Sequence, residues 1–294
     1  MTNTSSLTRI GFIGLGIMGQ HMAAHLLADG HPLAVYNRSP DKATALVTKG
    51  AVACSTPAQV AQQSDVIITM VGYPSDVEEV WLGEQGIIAH AHKALLIDMT
   101  TSSPALAKRL AEACARAGHQ ALDAPVSGGD VGAREAKLSI MVGGEASAFD
   151  KALPILQRMG TNIVHMGGAG AGQHTKMSNQ IVIASTIMGV CEGLAYAKGA
   201  GLDAEGLLRC IGGGAAGGFQ LNVMGARIAK GDFAPGFFIE HFLKDLGIAL
   251  AEAEQMGLDL PGATLARKLY NDMAAKGLSR LGTQALFQRY VTGV

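Results

Sequence analysis

The chain has 294 residues, 48% hydrophobic and 16% charged, which is enough for one large or two smaller domains with a substantial core. That balance excludes an intrinsically disordered chain. Lys+Arg 23 against Asp+Glu 24 leaves a net charge of −1, and no basic run is laid out to follow a phosphate backbone, so nucleic acid is not an expected partner.

The first predicted element is a short apolar strand in RIGFIG, Arg9 to Gly14, followed by GLGIMG and a helix, QHMAAHLLADG, that stops at Gly30. Gly14, Gly16 and Gly19 thus form GxGxxG between a strand and a helix, the order the dinucleotide fingerprint demands. The glycines let the backbone reach a pyrophosphate, and the helix N-terminus supplies N–H groups and positive potential. The whole turn, Gly14, Leu15, Gly16, Ile17, Met18 and Gly19, is a candidate cofactor site.

A second strand, HPLAVYNRS, ends where an NAD-binding site usually carries an acid for the ribose 2′-hydroxyl. Here Asn37, Arg38 and Ser39 stand instead. A guanidinium pairs with a 2′-phosphate that a carboxylate would repel, so NADP is expected over NAD, with NAD still usable if Arg38 only stacks on the adenine. His21 and His25 share a helix face but have no third metal ligand, so they are read as structural and no metal is expected.

The alternation continues with a helix in PDKATALVTKG, a strand in AVAC, a helix in AQVAQQ and a buried strand in SDVIITMVGYP. The loop from Val71 through Gly72 to Asp76 falls at the carboxyl edge of the sheet, where doubly wound folds bind ligands. After DVEEVWLG and GIIAHA, the strand ALLIDMTTSSP brings Thr101 to the same edge, and SPALAKRLAEACARAG is an amphipathic helix. HQALDAPVSGG then carries a strand into a second glycine turn. Ser127, Gly128 and Gly129 offer a hydroxyl and consecutive backbone N–H groups to an anion. No helix pattern as clean as the first follows, so this turn is assigned to a substrate carboxylate. AKLSIMVGG and TNIVHMG add late strands and end the first domain.

Gly168 to Gly201 opens a long helix with an apolar stripe at Met177, Ile181, Ala184, Met188, Cys191 and Ala195. Lys176, Asn179 and Gln180 fall at i, i+3 and i+4, so an ammonium and two amides share a face near its start. The segments after it, DAEGLLRCI, LNVMGARIAKGDF, FFIEHFLKDLGIALAEAEQMG, PGATLARKLYNDMAAKG and GTQALFQRY, read as helix throughout. The expected fold is α/β: a Rossmann-type dinucleotide-binding domain over residues 1–170, then an all-α domain over 171–294 joined by the long helix. Cys54, Cys114, Cys191 and Cys210 are scattered, as expected of reduced thiols. The opening MTNTSSLTR lacks a signal-peptide core, and no uninterrupted apolar run is long enough to span a bilayer, so a cytoplasmic protein with no membrane partner is expected. Surplus apolar surface on the helices is expected to be buried in a homodimer or homotetramer.

Four blocks carry a resemblance over nearly the whole length: FIGLGIMG (Phe12 to Gly19), DAPVSGG (Asp123 to Gly129), GAGQHTKMSNQ (Gly170 to Gln180) and KDLGIAL (Lys244 to Leu250). The chain resembles the β-hydroxyacid dehydrogenases, which include 3-hydroxyisobutyrate dehydrogenase, tartronate semialdehyde reductase and the glyoxylate/succinic semialdehyde reductases. The resemblance implies that Lys176 is the catalytic acid. It also implies that Ser127, Gly128 and Gly129 hold the substrate carboxylate, that Asn179 binds substrate, and that Lys244 lies near substrate and nicotinamide. Thr101 and Val71 match cofactor contacts. The implied reaction is NAD(P)-dependent interconversion of a small β-hydroxyacid and its semialdehyde or keto partner.

Two departures stand out. The 3-hydroxyisobutyrate branch has two asparagines where this chain has Asn179-Gln180, a form more similar to the tartronate semialdehyde branch. The run IGGGAAGGFQ, Ile211 to Gln220, is richer in glycine than the family pattern. The related 6-phosphogluconate dehydrogenases carry a histidine and asparagine after their lysine, and imine reductases usually replace the lysine, so Lys176 with Asn179-Gln180 argues against both. A non-catalytic NADP-binding module is the remaining alternative from another class.

Overall fold

The computed structural model describes residues 7–293. The chain divides into two compact units, one ending at Lys176 and the other beginning at Met177.

The first unit is built on one sheet of β1 (Ile10–Ile13), β2 (Leu33–Tyr36), β3 (Val52–Ala53), β4 (Val66–Thr69), β5 (Leu95–Asp98), β6 (Gln120–Asp123), β7 (Val126–Ser127), β8 (Leu138–Gly144) and β9 (Gly160–Gly167). Its order is β3-β2-β1-β4-β5-β6-β8-β7, with β9 paired to β8. The strands from β3 to β6 are all parallel, the doubly wound arrangement, and β1 pairs with both β2 and β4. The sheet order therefore reverses at β1, and the glycine turn leaves its carboxyl end. Burial on both faces explains why β1, β4 and β5 read as continuous apolar runs. Ile10, Phe12, Ile68 and Ile97 enter one core cluster, while Ile13, Ile67 and Leu96 enter the other.

Beyond β6 the sheet turns antiparallel at β8 and β7, then parallel again at β9. Two elements here escape the sequence pattern. A short helix, Gly129–Arg134, does follow the second glycine turn. A longer one, Ala146–Leu156, buries Ala148, Ala152, Ile155 and Leu156 despite an internal Pro154. That proline interrupts the helical pattern, and with no N–H it leaves the Asp150 carbonyl without its helical donor near the end of the helix.

The second unit is helical, with segments Ala204–Ile211, Ile239–Gln255, Pro261–Ala275 and Leu286–Thr292 beside most of the helix Ala171–Gly199. An isolated bridge, Phe238 to Gly282, is the strand-type pairing among its described residues. Its core joins Ala184, Ile187, Cys191 and Leu194 to Phe242, Leu246, Tyr270 and Met273. Phe242 and Tyr270 meet edge-on at 5.2 Å, and the Tyr270 hydroxyl donates to the Thr283 carbonyl at 2.8 Å.

The buried stripe of the long helix differs from the predicted one: Ile187 and Leu194 are buried, whereas Ile181, Met188 and Ala195 are half-buried. The place expected for Ile181 is taken by Gln180, 1% exposed, because that amide has a buried acid to bond. The helix is also longer and more apolar than the sequence reading allows: by length and composition alone it would cross a bilayer. Its buried residues Ala184, Ile187, Cys191 and Leu194 pack into the second unit's core.

Candidate active site

The glycine turn is shaped by what a side chain would strike. Gly14 has φ +98°, and a Cβ there would collide with the Met70 carbonyl. A Cβ on Gly19 would collide with the Gly14 carbonyl and press on the Phe12 ring, so this glycine brings the helix Gly19–Ala28 down onto β1. A Cβ on Gly16 would meet nothing within 4 Å. Its openness is not required for packing and suits close approach of a pyrophosphate. The turn therefore fits a dinucleotide. Leu15 is buried and Ile17 exposed, with Met18 between.

At the end of β2 the three predicted residues have distinct placements. Asn37 accepts from the Leu15 N–H at 2.8 Å and donates to the Ser39 carbonyl at 2.9 Å, so its amide braces the glycine turn. The Arg38 side chain is 88% exposed and lies 3.5 Å from Asp76, which also accepts from the Tyr73 N–H at 3.1 Å. Arg38 thus stands in solvent beside the turn, tethered to the first turn of the helix Pro74–Leu82 that ends the loop following β4. Such an exposed pair contributes little stability, and its guanidinium can exchange Asp76 for a phosphate at small cost. Gly72 is half-buried in the same loop, and the Val71 N–H donates to the Thr100 hydroxyl at 2.9 Å.

That hydroxyl belongs to a buried network at the carboxyl ends of β4, β5 and β6. Trp81 donates to Thr69, which donates to Asp98 at 2.9 Å; the Thr100 N–H reaches the same Asp98 oxygen at 3.1 Å. Asp98 is paired in register with Asp123 on β6. The cavity beside the two carboxyls is lined by Trp81, Leu110 and Leu122. In that apolar surrounding, burial raises the Asp98 carboxyl to about 7, against the pull of the Thr100 and Thr69 hydrogen bonds. Asp123 is also raised by burial, opposed by N–H groups of Gly170, Gln173 and Gly172.

Asp123 caps the long helix from another element. Its two oxygens accept from the N–H groups of Gly170 and Gln173, both at 2.8 Å, satisfying donors that a helix start leaves open. The Gln173 side chain then accepts from the Ser102 N–H at 2.9 Å and donates to the Thr100 carbonyl at 2.8 Å. One helical turn on, Lys176 is 7% exposed and donates to the Val126 carbonyl at 2.8 Å. The β6–β7 segment therefore holds both the backbone and the ammonium of this turn. Thr101 lies half-buried between Thr100 and Ser102.

Val126 leads into Ser127, Gly128 and Gly129. Gly128 has φ +128° and Gly129 φ +63°, and the short helix Gly129–Arg134 starts there, so its first N–H groups lack helical acceptors. Ser127 is half-buried and paired in register with Ser139 of β8. The structure thus brings Lys176 and the Ser127–Gly129 turn together through Val126.

Asn179 and Lys244 belong to the second unit. There Asn179 donates to Gln180 at 2.7 Å, Gln180 donates to Asp245 at 2.7 Å, and Lys244 lies 3.1 Å from the other Asp245 oxygen. That oxygen is buried and has no aligned hydrogen bond, so its contact with Lys244 is an ion pair only. His241, one turn before Lys244, is held below the usual imidazole range by burial and by the Lys244 charge. Among the described residues no group of metal-ligating side chains occurs. The His25 ring donates to the carbonyls of Ala133 and Arg134, a structural use.

Sequence reasoning missed Thr69, Asp98, Thr100, Gln173 and Asp245 as parts of these networks. The one signal available was in DMTT, where Asp98 and Thr100 close an otherwise apolar strand.

Residues 9–168 match the family described as the NAD binding domain of 6-phosphogluconate dehydrogenase. Residues 170–290 match the one described as NAD-binding of NADP-dependent 3-hydroxyisobutyrate dehydrogenase. An oxidoreductase of Bacillus subtilis is 53% identical over 96% of this chain and 98% of its own length. The 2-hydroxy-3-oxopropionate reductase of Escherichia coli is 43% identical over 95% of this chain and 96% of its own. Among solved structures, 3-hydroxyisobutyrate dehydrogenase of Mycobacterium tuberculosis with L-serine superposes with a TM-score of 0.88 at 31% identity, covering 97% of this chain and 99% of that one.

Proposed function

The chain belongs to the β-hydroxyacid dehydrogenase family of NAD(P)-dependent oxidoreductases, and we propose that it interconverts a small β-hydroxyacid with its semialdehyde, using NADP in preference to NAD. The observation that carries this reading is the buried Lys176 ammonium, bonded to the Val126 carbonyl in the segment that runs into the Ser127–Gly129 turn.

In the reductive direction the nicotinamide, when bound, would supply the hydride chemistry at the carbonyl carbon. Lys176 gives a proton from Nζ to the carbonyl oxygen, completing the alcohol. Ser127 and the N–H groups of Gly128 and Gly129 hold the substrate carboxylate, and Asn179 orients the substrate. The protein's contribution is orientation and a fixed proton donor. Gly14 to Gly19 would hold the pyrophosphate, Arg38 the 2′-phosphate, and Val71, Gly72 and Thr101 other parts of the cofactor; Lys244 of the second unit is a further proposed cofactor contact.

Self-association belongs to the same reading. Val182 is 62% and Tyr196 79% exposed on the long helix, apolar surface of the kind a second copy covers.

The test is oxidation of NADPH and NADH by the purified protein with glyoxylate and with succinic, methylmalonate and tartronate semialdehydes. Turnover of at least one, faster with NADPH, supports the reading. NADPH binding with turnover of none favours a non-catalytic module.

A further inference from the structure

Gln173 is fully buried in the first unit, and its side chain bonds a strand end instead of its own helix. Its Oε1 accepts from the Ser102 N–H at 2.9 Å and its Nε2 donates to the Thr100 carbonyl at 2.8 Å. One amide therefore grips the backbone on both sides of Thr101. A backbone N–H only donates and a carbonyl only accepts, so this amide has a single orientation. The grip lies past the last registered pair of β5 and β6, Asp98 with Asp123, so the side chain stands where a neighbouring strand would. The helix start does not need it. Asp123 already accepts from the N–H groups of Gly170 and Gln173 there, both at 2.8 Å.

Lys176 follows Gln173 at i+3, on the same helix face. A lysine ammonium is a point charge on a flexible stem, so its place is defined only when both ends of the stem are held. The Val126 carbonyl holds Nζ at 2.8 Å. Gln173 holds the other end, by tying the helical turn that carries Lys176 to the Thr100–Ser102 segment.

We propose that Gln173 is a positioning residue for proton transfer, setting the turn of Lys176 so that its ammonium stands in line with the substrate carbonyl oxygen. This inference rests on the proposed reading of Lys176 as the proton donor. Gln173 touches neither substrate nor cofactor in this account; it acts through Lys176. Without the amide, the Thr100 carbonyl and the Ser102 N–H lose their partner, and segment and helical turn are released from each other. A shift of about 1 Å in a catalytic group is enough to cost about a hundredfold in rate.

The test is a double-mutant cycle on kcat, with saturating NADPH and the best semialdehyde, expressed per NADPH-binding site. Gln173→Met fills a similar space without the amide and should lower kcat about tenfold or more, with KM for the aldehyde and the dissociation constant for NADPH within about threefold of wild type. In the Lys176→Ala background the same change should cost less than about threefold, because residues that act as a unit are not additive. A merely structural role predicts the opposite, with the two losses multiplying.

Gln173→Glu covers the case of a Met variant that fails to fold. It keeps an acceptor for the Ser102 N–H, and its second oxygen donates to the Thr100 carbonyl only while it carries a proton. Burial and the carboxyls of Asp98 and Asp123 favour that proton, and the Lys176 ammonium opposes it. Its kcat relative to wild type should therefore be about fivefold or more higher at pH 6 than at pH 9. Wild-type kcat in Gln173→Met, multiplying losses in the cycle, or wild-type kcat in Gln173→Glu at both pH values would overturn the inference and leave the proposed function standing. A Lys176→Ala variant that keeps its kcat overturns the proton-donor reading itself, whatever Gln173 does.

Discussion

Lys176 donates its ammonium to the carbonyl of Val126 at 2.8 Å, one residue before the turn assigned to the substrate carboxylate. Acid and carboxylate cradle therefore hang from a single short piece of chain, and a shift of that piece moves both. Gly128, at φ +128°, is where the shift is easiest to make, because an added Cβ is strained there and presses on Leu138 at 3.3 Å. Gly128→Ala is expected to raise KM and lower kcat together, reducing kcat/KM about a hundredfold. Steady-state kinetics check this; a change in KM alone would separate the two functions.

The three glycines of the first turn make separable predictions. Gly19→Ala drives a Cβ into the Gly14 carbonyl, so it should lower stability by about 1–3 kcal/mol, read from urea midpoints. Gly16→Ala meets nothing in the protein and should leave the midpoint unchanged, while weakening NADPH binding about tenfold or more in a fluorescence titration. A Gly16 variant with normal affinity would mean the pyrophosphate does not lie against this turn.

Arg38 is nearly free of stabilising work, with 88% of its side chain exposed and one loose pair to Asp76. Arg38→Ala should raise the KM for NADPH about tenfold and leave that for NADH nearly unchanged. Equal effects on both cofactors would place the guanidinium on the adenine instead of the 2′-phosphate.

Burial lifts the Asp98 carboxyl from 3.8 to about 7 in the folded protein. Between those values the native state keeps a proton that the unfolded chain has released. The stability from Asp98 is thus fully present below about pH 4 and is lost as pH rises through 7. Asp98→Asn stays neutral at every pH. Its stability relative to wild type should therefore increase from pH 5 to pH 8, by about 3 kcal/mol. Urea denaturation of both proteins at the two pH values measures it, and parallel curves would refute the assignment.

Much of the fold is legible because its signals are local. The alternation of Ile10, Phe12 and their neighbours between two cores, and a glycine fingerprint between strand and helix, need no distant partner to be read. The helix Ala146–Leu156 was hidden by Pro154, a local signal pointing the wrong way. The polar networks were hidden for a different reason. Gln173 meets Thr100, and Gln180 meets Asp245, across separations of 73 and 65 residues, so neither bond leaves a periodic trace. Gln180 shows the consequence: an amide counts as polar in any pattern, yet here it lies in the buried stripe because a distant acid satisfies it.

The central claim is that Lys176 is the proton donor, and it is tested most directly by Lys176→Ala. With the best semialdehyde and NADPH, kcat should fall at least about a hundredfold, while the dissociation constant for NADPH stays within about threefold of wild type. A variant that keeps its kcat, on a protein that still binds NADPH, would contradict the account and move the proton transfer to another group.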